Sequence, residues 1–140
     1  LTVSVAELLT GEQVINTNRA ANMLKSQLYV CPICGNVFQS MGPAMVSCCG
    51  ITLPPLEPET PDDAHAAAIE HIEDEYYISI DHPMTKDHYI SFIAYCTGSR
   101  FESVKLYPEG NAEARFFGRG RGHGWLYWYC NHHGLFRQRI

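Results

Sequence analysis

The sequence predicts a mainly β protein built from two modules, with a short helical segment in front of them. Short β-type runs separated by turns fill the second half of the chain, which is the pattern of an antiparallel β-sandwich. Four of the six cysteines lie close together before that region, and a proline-rich stretch separates the two parts. Apolar residues make up 46% of the 140 residues and charged residues 18%, so a packed core is expected.

Residues 1–27 are expected to form the helical N-terminal segment. Val5, Leu8 and Leu9 recur at helical spacing. Residues 1–12 also resemble the last helix of Cro/cI-type helix-turn-helix domains, whose turn and recognition helix would lie upstream of this chain. An ordinary amphipathic helix is the alternative interpretation.

Residues 28–53 carry the cysteine cluster. Cys31 and Cys34 form a C-x-x-C pair, and Cys48 and Cys49 are adjacent. Adjacent cysteines rarely bridge each other, and the N-terminus lacks a secretory signal pattern, so metal ligation is favoured over disulfides. Four thiolates suit tetrahedral iron or zinc. Because zinc ribbons usually carry two C-x-x-C pairs, the contiguous second pair favours iron, with structural zinc as the alternative.

Residues 54–64 are expected to be an extended linker, because closely spaced prolines disfavour both helix and sheet. Residues 65–140 then form the predicted sandwich. Cys96 falls in a strand expected to be buried, where it would be a small core residue. Strands are predicted, with turns between them, at 76–80, 88–95, 101–106, 112–117 and 125–129.

Histidines at the ends of these strands indicate a second metal site. His82 and His88 lie six residues apart, before and at the start of one predicted strand. Cys130 ends another strand, and His133 follows it just before Gly134. A single histidine would be unremarkable, but several imidazoles with one thiol form a ligand set suited to iron, copper or zinc.

The order and spacing of these motifs resemble those of the desulfoferrodoxin family, in its two-iron superoxide reductase form. The resemblance covers residues 28–140, or about four-fifths of the chain. It rests on the two cysteine pairs and on the phrases His82-Pro83-Met84, His88-Tyr89-Ile90 and Cys130-Asn131-x-His133-Gly134-Leu135. It implies a desulforedoxin-like (rubredoxin-like) domain with iron, or zinc, held by Cys31, Cys34, Cys48 and Cys49. An immunoglobulin-like β-sandwich would follow.

The resemblance also implies which side chains hold the second iron. The family has four equatorial histidines and one axial cysteine, which would here be His65, His82, His88, His133 and Cys130. His65 fits the family's histidine followed by a short apolar run and an Ile-Glu pair, and His71 is the competing candidate. The family often has a lysine directly before this histidine. Here Ala64 takes that place, and Lys86 is expected to supply the missing catalytic charge.

The implied activity is the reduction of superoxide to hydrogen peroxide by a homodimeric enzyme that takes electrons from an external donor such as rubredoxin. One alternative is an iron- or superoxide-sensing module of a helix-turn-helix regulator, and another is a structural zinc module. The formal net charge of −5 argues against a nucleic-acid-binding surface within this chain, so DNA would be contacted only through an upstream domain. With no apolar run near the roughly 18 residues of a membrane span, a cytoplasmic location is expected.

Overall fold

The computed structural model describes residues 22–118 and 124–140. Across these ranges strands dominate, and helix is confined to two 3₁₀ turns, Met23–Lys25 and Asp63–His65. The mainly β fold expected from the sequence is confirmed. The strands are β1 (Gln27–Val30), β2 (Val37–Ser40), β3 (Val46–Cys48), β4 (Ile51–Leu53), β5 (Ala67–Ile72), β6 (Glu75–Ile80), β7 (Ile90–Cys96), β8 (Phe101–Lys105), β9 (Glu113–Phe117), β10 (Trp125–Cys130) and β11 (Gly134–Arg139).

The second module is a sandwich of two antiparallel sheets. The larger sheet has the strand order β11-β10-β7-β8, and the smaller has the order β5-β6-β9. Each strand predicted from the sequence is present, with its ends displaced by at most two residues. Apolar side chains from both sheets fill the space between them, with Trp128, Ile93, Ile78 and Phe116 fully or almost fully buried. The sandwich is therefore closed by a conventional two-sheet core.

Strand β7 is buried along its whole length. A single core between two sheets would bury only the side chains on one face of the strand. Ile93 and Tyr95 belong to the core between the two sheets. Phe92 and Ala94 belong instead to a second core that also contains Leu28 of β1. The cysteine-rich module thus packs on the outer face of the larger sheet, and a strand covered on both faces is largely apolar, with Ser91 as the polar residue of β7.

The cysteine-rich module consists of two β-hairpins. Strand β1 pairs with β2, and β3 pairs with β4. Tyr29 and Leu53 are buried together with Cys31 in a small core between the hairpins. This core holds the two cysteine pairs in one place.

The proline-rich segment after β4 passes beside β1 and then along the edge of the larger sheet. The Leu56 N–H donates to the Leu28 carbonyl at 2.8 Å, and the Glu59 N–H donates to the Leu135 carbonyl at 2.9 Å. Glu59 also forms a parallel bridge with Phe136 of β11. The segment is extended, as the prolines predict. Its backbone hydrogen bonds to β11 fix its course and cover the open edge of the larger sheet.

Most of the N-terminal prediction, including the helix-turn-helix resemblance of residues 1–12, lies outside the described residues. The described part begins at residue 22 and is not α-helical up to residue 27. It holds one 3₁₀ turn, capped by the Asn22 side chain, and then the start of β1, where Gln27 pairs with Ser40. Among the described elements, no helix is long and apolar enough to cross a membrane.

Candidate metal centres

Five strands of the sandwich begin or end at one end of the molecule, and the predicted ligands lie there. Strand β5 begins where β6 ends, so His65 before β5 and His82 after β6 emerge side by side. In the larger sheet β10 ends at Cys130, where β7 begins after His88 and β11 begins after His133. The topology therefore collects residues that are distant in sequence.

The ligand atoms of four of these residues, His65, His88, Cys130 and His133, lie within 4.8 Å of one another. His65 Nε2 is 3.2 Å from His133 Nδ1. The sulfur of Cys130 is 3.2 Å from His88 Nε2 and 3.4 Å from His133 Nδ1. Adjacent ligands on one metal, with bonds of about 2.1 Å, lie roughly 3 Å apart. The spacing is that of side chains that share an ion.

His82 completes the set of imidazoles. Its ring centroid lies 4.9 Å from that of His65 and 4.6 Å from that of His88. The Pro83 carbonyl, 2.7 Å from His82 Nδ1, can only accept, so Nδ1 carries the proton and Nε2 the lone pair. That Nε2 is buried and has no hydrogen-bond partner among the described residues. An unpaired buried acceptor costs about 1–3 kcal/mol, and a bound metal would account for it.

Two backbone features place Cys130 and His133. The pairing of β10 with β7 shifts by one residue at Cys130, which therefore pairs with Ile90 and leaves Ser91 as the extra residue of a bulge. Gly134 has a φ of +92°, a conformation that side-chain-bearing residues rarely adopt, so the chain reverses directly after His133. The thiol and the imidazole thus lie on the two sides of one tight turn.

Burial favours the uncharged form of two imidazoles of this site, those of His82 and His88. Desolvation lowers the pKa of both His82 and His88, and the neighbouring imidazoles lower the pKa of each further. The pKa of the Asp62 carboxyl is also lowered, because the carboxylate accepts a hydrogen bond from the His65 ring. Neutral imidazole is the form that binds metals, so the site is suited to ligation near neutral pH.

The other two described histidines have a ring nitrogen near a backbone carbonyl, although the ring centroid of His132 lies 4.5 Å from that of His88. His71 projects from β5, where its Nε2 is 3.3 Å from the Gly118 carbonyl and its ring contacts Tyr76. His132 Nε2 is 2.6 Å from the Asp87 carbonyl. Of the two candidates for the fourth imidazole, the structure thus brings His65 and not His71 to the site.

Two charged residues, Lys86 and Asp62, lie near the site in the chain. Lys86 is exposed in the loop between His82 and His88, and it forms no hydrogen bond or ion pair with the described part of the chain. Asp62 was not singled out, yet its Oδ1 is 2.6 Å from His65 Nδ1. The available signal was an acidic residue three positions before a histidine, because i and i+3 side chains eclipse in a 3₁₀ turn.

The sulfurs of Cys31, Cys34, Cys48 and Cys49 form a second group, in which all lie within 4.8 Å of one another. The Cys34 sulfur is 3.5 Å from that of Cys48, which is 3.9 Å from that of Cys49. Four sulfurs bound to one metal at about 2.3 Å would be roughly 3.8 Å apart. All six cysteines of the chain fall within the described ranges, and none forms a disulfide.

Turn geometry explains how two contiguous cysteines join one tetrahedral group. Cys48 pairs with Ile51 across the β3–β4 hairpin, which leaves Cys49 and Gly50 as a two-residue turn. Their φ angles are +53° and +78°, as a type I′ turn requires at both positions. The left-handed backbone at Cys49 brings its sulfur beside that of Cys48, so contiguity does not prevent a shared metal.

The close packing of these thiols disfavours the ionisation of all four together. The pKa of Cys31 is lowered to about 7 because the backbone N–H of Cys34 donates to its sulfur. The pKa of Cys49 is raised to about 12, first by its hydrogen bond with the Cys34 thiol and then by the other sulfurs. Closely packed thiolates disfavour one another's charge, and a bound metal would relieve this. The expectation of one four-cysteine group and one group of four imidazoles around a single thiol, the histidine–cysteine group, is confirmed.

Comparison with known proteins agrees with this arrangement. The desulfoferrodoxin family model matches residues 59–139. A desulfoferrodoxin homolog from Archaeoglobus fulgidus is 30% identical over 122 residues, which cover 79% of this chain and 94% of the relative. A desulfoferrodoxin from Syntrophotalea carbinolica is 31% identical over 119 residues, with the same coverage of 79% and 94%. The superoxide reductase from Treponema pallidum has the same fold, with a TM-score of 0.71 at 22% identity over 81% of this chain and 98% of that one. The chain therefore belongs to the desulfoferrodoxin family.

Proposed function

We propose that this protein is a superoxide reductase that reduces superoxide to hydrogen peroxide at iron held by the histidine–cysteine group. The proposed ligands are His65, His82, His88, His133 and Cys130. The observation that carries the proposal is the buried His82 Nε2, which has no partner among the described residues. The His82 ring lies against those of His65 and His88, which belong to the cluster of imidazoles around one thiol. A mixed set of neutral nitrogens and one sulfur suits a redox metal such as iron.

The residues of the chain prepare the site in three ways. Burial keeps His82 and His88 neutral, so they are free to bind a cation. Cys130 lies in the core and is shielded from water. The strand ends hold the ligands in position, so little rearrangement is needed on metal binding. Iron in its ferrous state would supply the single electron that superoxide requires.

Attraction of the anionic substrate is assigned to Lys86. The formal net charge of the chain is −5, so a superoxide anion needs a local positive charge to approach the site. Lys86 is exposed between two proposed ligands, and no carboxylate of the described chain forms an ion pair with it. Its ammonium group would also serve as a proton source for the product, which takes up two protons.

The four-cysteine group is proposed to hold iron, with zinc as the alternative, in a unit formed by residues 28–53. It would stabilise this module or pass on electrons from an external donor such as rubredoxin. Residues 54–64 would join it to the catalytic unit of residues 65–140, in a cytoplasmic homodimer. The family match and the relatives described above give no support to the sensor alternative.

The proposal is tested by mixing the reduced, iron-loaded protein with superoxide in a stopped-flow instrument. A reductase consumes one superoxide per iron, oxidises the iron by one electron and releases one hydrogen peroxide without oxygen. Release of oxygen with one peroxide for every two superoxide molecules would indicate dismutation and contradict the proposal. A chain that binds only zinc at the histidine–cysteine group would support the structural alternative.

The role of Lys86 is tested in the same experiment. Lys86→Gln is expected to lower the rate of iron oxidation by roughly two- to tenfold at low salt, with a weaker dependence on ionic strength. Lys25→Gln is the matched control. Lys25 lies in the same 3₁₀ turn as Met23, whose carbonyl accepts a hydrogen bond from the Cys96 thiol. Cys96 ends β7, whereas His88 precedes its start, so Lys25 is far from the proposed site. Equal effects of both substitutions would contradict a specific role of Lys86.

A further inference from the structure

Asp62 and His65 form an acid–imidazole pair at the edge of the proposed iron site. The Asp62 Oδ1 is 2.6 Å from the ring nitrogen Nδ1 of His65. The backbone N–H of His65 also donates to the backbone carbonyl of Asp62 at 3.1 Å. Both contacts arise from the 3₁₀ turn, which places residues three apart on the same side. The carboxylate is 63% exposed whereas the imidazole is 3% exposed. The pair therefore extends from the protein surface to the buried site.

Contacts with both the ring and the backbone hold His65 in place. One face stacks on Phe136, with centroids 4.5 Å apart and planes 21° apart. The backbone carbonyl of His65 accepts a hydrogen bond from the Trp128 indole at 2.9 Å. Asp62 fixes the remaining freedom, which is rotation of the ring about the Cβ–Cγ bond and the choice of protonated nitrogen.

The tautomer follows from the partners. A carboxylate can only accept, so His65 Nδ1 carries the proton and Nε2 presents a lone pair toward His133 Nδ1, 3.2 Å away. The corresponding bond of His82 goes to a neutral carbonyl, that of Pro83. Among the described residues, Asp62 is the only carboxylate that bonds to an imidazole of this site.

We propose that Asp62 is a positioning residue that orients His65 for the metal and, through the ring, sets how strongly the site prefers the oxidised metal. The inference rests on the proposed metal site. A carboxylate bonded to a ligating imidazole makes the ring a stronger donor. Extra electron density stabilises a trivalent ion more than a divalent one, so Asp62 lowers the reduction potential of the iron.

Two substitutions separate the two effects, and a third is the control. Asp62→Asn keeps an acceptor for the Nδ1 proton but removes the charge. Asp62→Ala removes both the acceptor and the charge. Asp63→Ala removes an equal charge from the next residue, which has no bond to the His65 ring. Both positions are exposed, so the variants are expected to fold, and tryptophan fluorescence checks this.

The readouts are cobalt(II) affinity and the midpoint potential of the iron-loaded protein, with the two centres followed through their different absorption spectra. Asp62→Ala should weaken cobalt binding at the histidine–cysteine group by about 10- to 100-fold, Asp62→Asn by less, and Asp63→Ala by no more than about twofold. The potential should rise in the order wild type, Asp62→Asn, Asp62→Ala. Each tenfold selective loss of ferric over ferrous affinity raises it by about 59 mV.

The possible outcomes distinguish this inference from the proposed function. Wild-type protein that binds no metal at the histidine–cysteine group would overturn both. Metal binding by the wild type with an unchanged potential in Asp62→Ala would overturn only the role of Asp62. An equal rise in Asp62→Ala and Asp63→Ala would also overturn it, because surface charge alone would then explain the shift.

Discussion

Replacing His82 with phenylalanine separates two roles of this side chain, a packed ring and a metal ligand. Phenylalanine keeps a ring but removes the buried Nε2 without a partner and the bond from Nδ1 to the Pro83 carbonyl. Loss of the unpaired nitrogen should stabilise the metal-free fold by about 1–3 kcal/mol, and loss of the bond should cost about 0.5–1.5 kcal/mol. The free energy of unfolding without metal should therefore fall by no more than about 0.5 kcal/mol, and it is expected to rise.

With metal bound, the expected sign reverses. Loss of a residue that hydrogen-bonds to a metal ligand typically weakens metal binding by roughly 10- to 100-fold. Loss of a ligand itself should weaken metal binding by at least as much. At saturating metal this corresponds to about 1.4–2.8 kcal/mol less stabilisation. His132→Phe is the matched control, because His132 bonds to the Asp87 carbonyl instead of joining the ligand group.

The assay is urea unfolding followed by tryptophan fluorescence, in EDTA and in excess cobalt(II). The four-cysteine group contributes equally to the wild type and both variants, so the difference between them reports the histidine–cysteine group alone. His82→Phe should lose metal-dependent stabilisation, and His132→Phe should retain it. If His82→Phe gained as much stability from cobalt as the wild type, His82 would not be a ligand and the reasoning would be refuted.

Three further outcomes are expected. Gly134→Ala should lower the free energy of unfolding by about 1–2 kcal/mol in urea titrations, because the φ of +92° is strained for a residue with a side chain. Steric clash would not contribute, since the added methyl group has no non-neighbouring atom within 4 Å. A change near zero would show that the turn relaxes. Leu28→Ala should lower the free energy of unfolding by about 2–5 kcal/mol, because it leaves a cavity in the core between the two modules. Ile33 is 67% exposed, so Ile33→Ala should change the free energy of unfolding by less than about 0.5 kcal/mol. Similar values for both variants would contradict the packing of Leu28 in that core. The metal-free protein should lose stability as pH falls below 6.5, the ordinary histidine pKa. Burial lowers the pKa of His82 and His88, so the unfolded chain then binds more protons. His88→Phe should flatten this decline in urea midpoints measured in EDTA between about pH 7.5 and 5.5, and an unaltered decline would exclude His88 as a cause.

The strands were predictable because their signals are local. Alternation in β9, for example, puts Ala114 and Phe116 in the core and leaves Arg115 outside, and this pattern is legible in the sequence. The packing of the cysteine-rich module on β7 was not predictable in the same way. Leu28 and Phe92 meet although they are far apart in the chain, and nothing in either segment alone indicates its partner.

The ligand groups were predictable from motifs, but the contacts that support them were not. The resemblance supplied His65, which composition and spacing alone did not separate from His71. Asp62 and the pairing of Glu59 with β11 depend on the course of residues 54–65, where the prolines indicate only an extended chain. A proline-rich pattern excludes regular structure but does not say which surface the segment follows.

The non-ligand residues of the motifs explain why the motifs are specific. Asn131 lies between two proposed ligands, and its side chain accepts from the Tyr89 N–H at 3.0 Å and donates to the Asp87 carbonyl at 2.9 Å. It thereby ties the turn after Cys130 to the loop that carries His88. Thr85 closes that loop, because its hydroxyl accepts from the His88 N–H at 3.1 Å. The Asn131 bonds join loops from two different strand ends, and the Thr85 bond fixes one of these loops. A site built from distant residues thus depends on a few side chains beside each ligand, and a chain that keeps them can vary widely elsewhere.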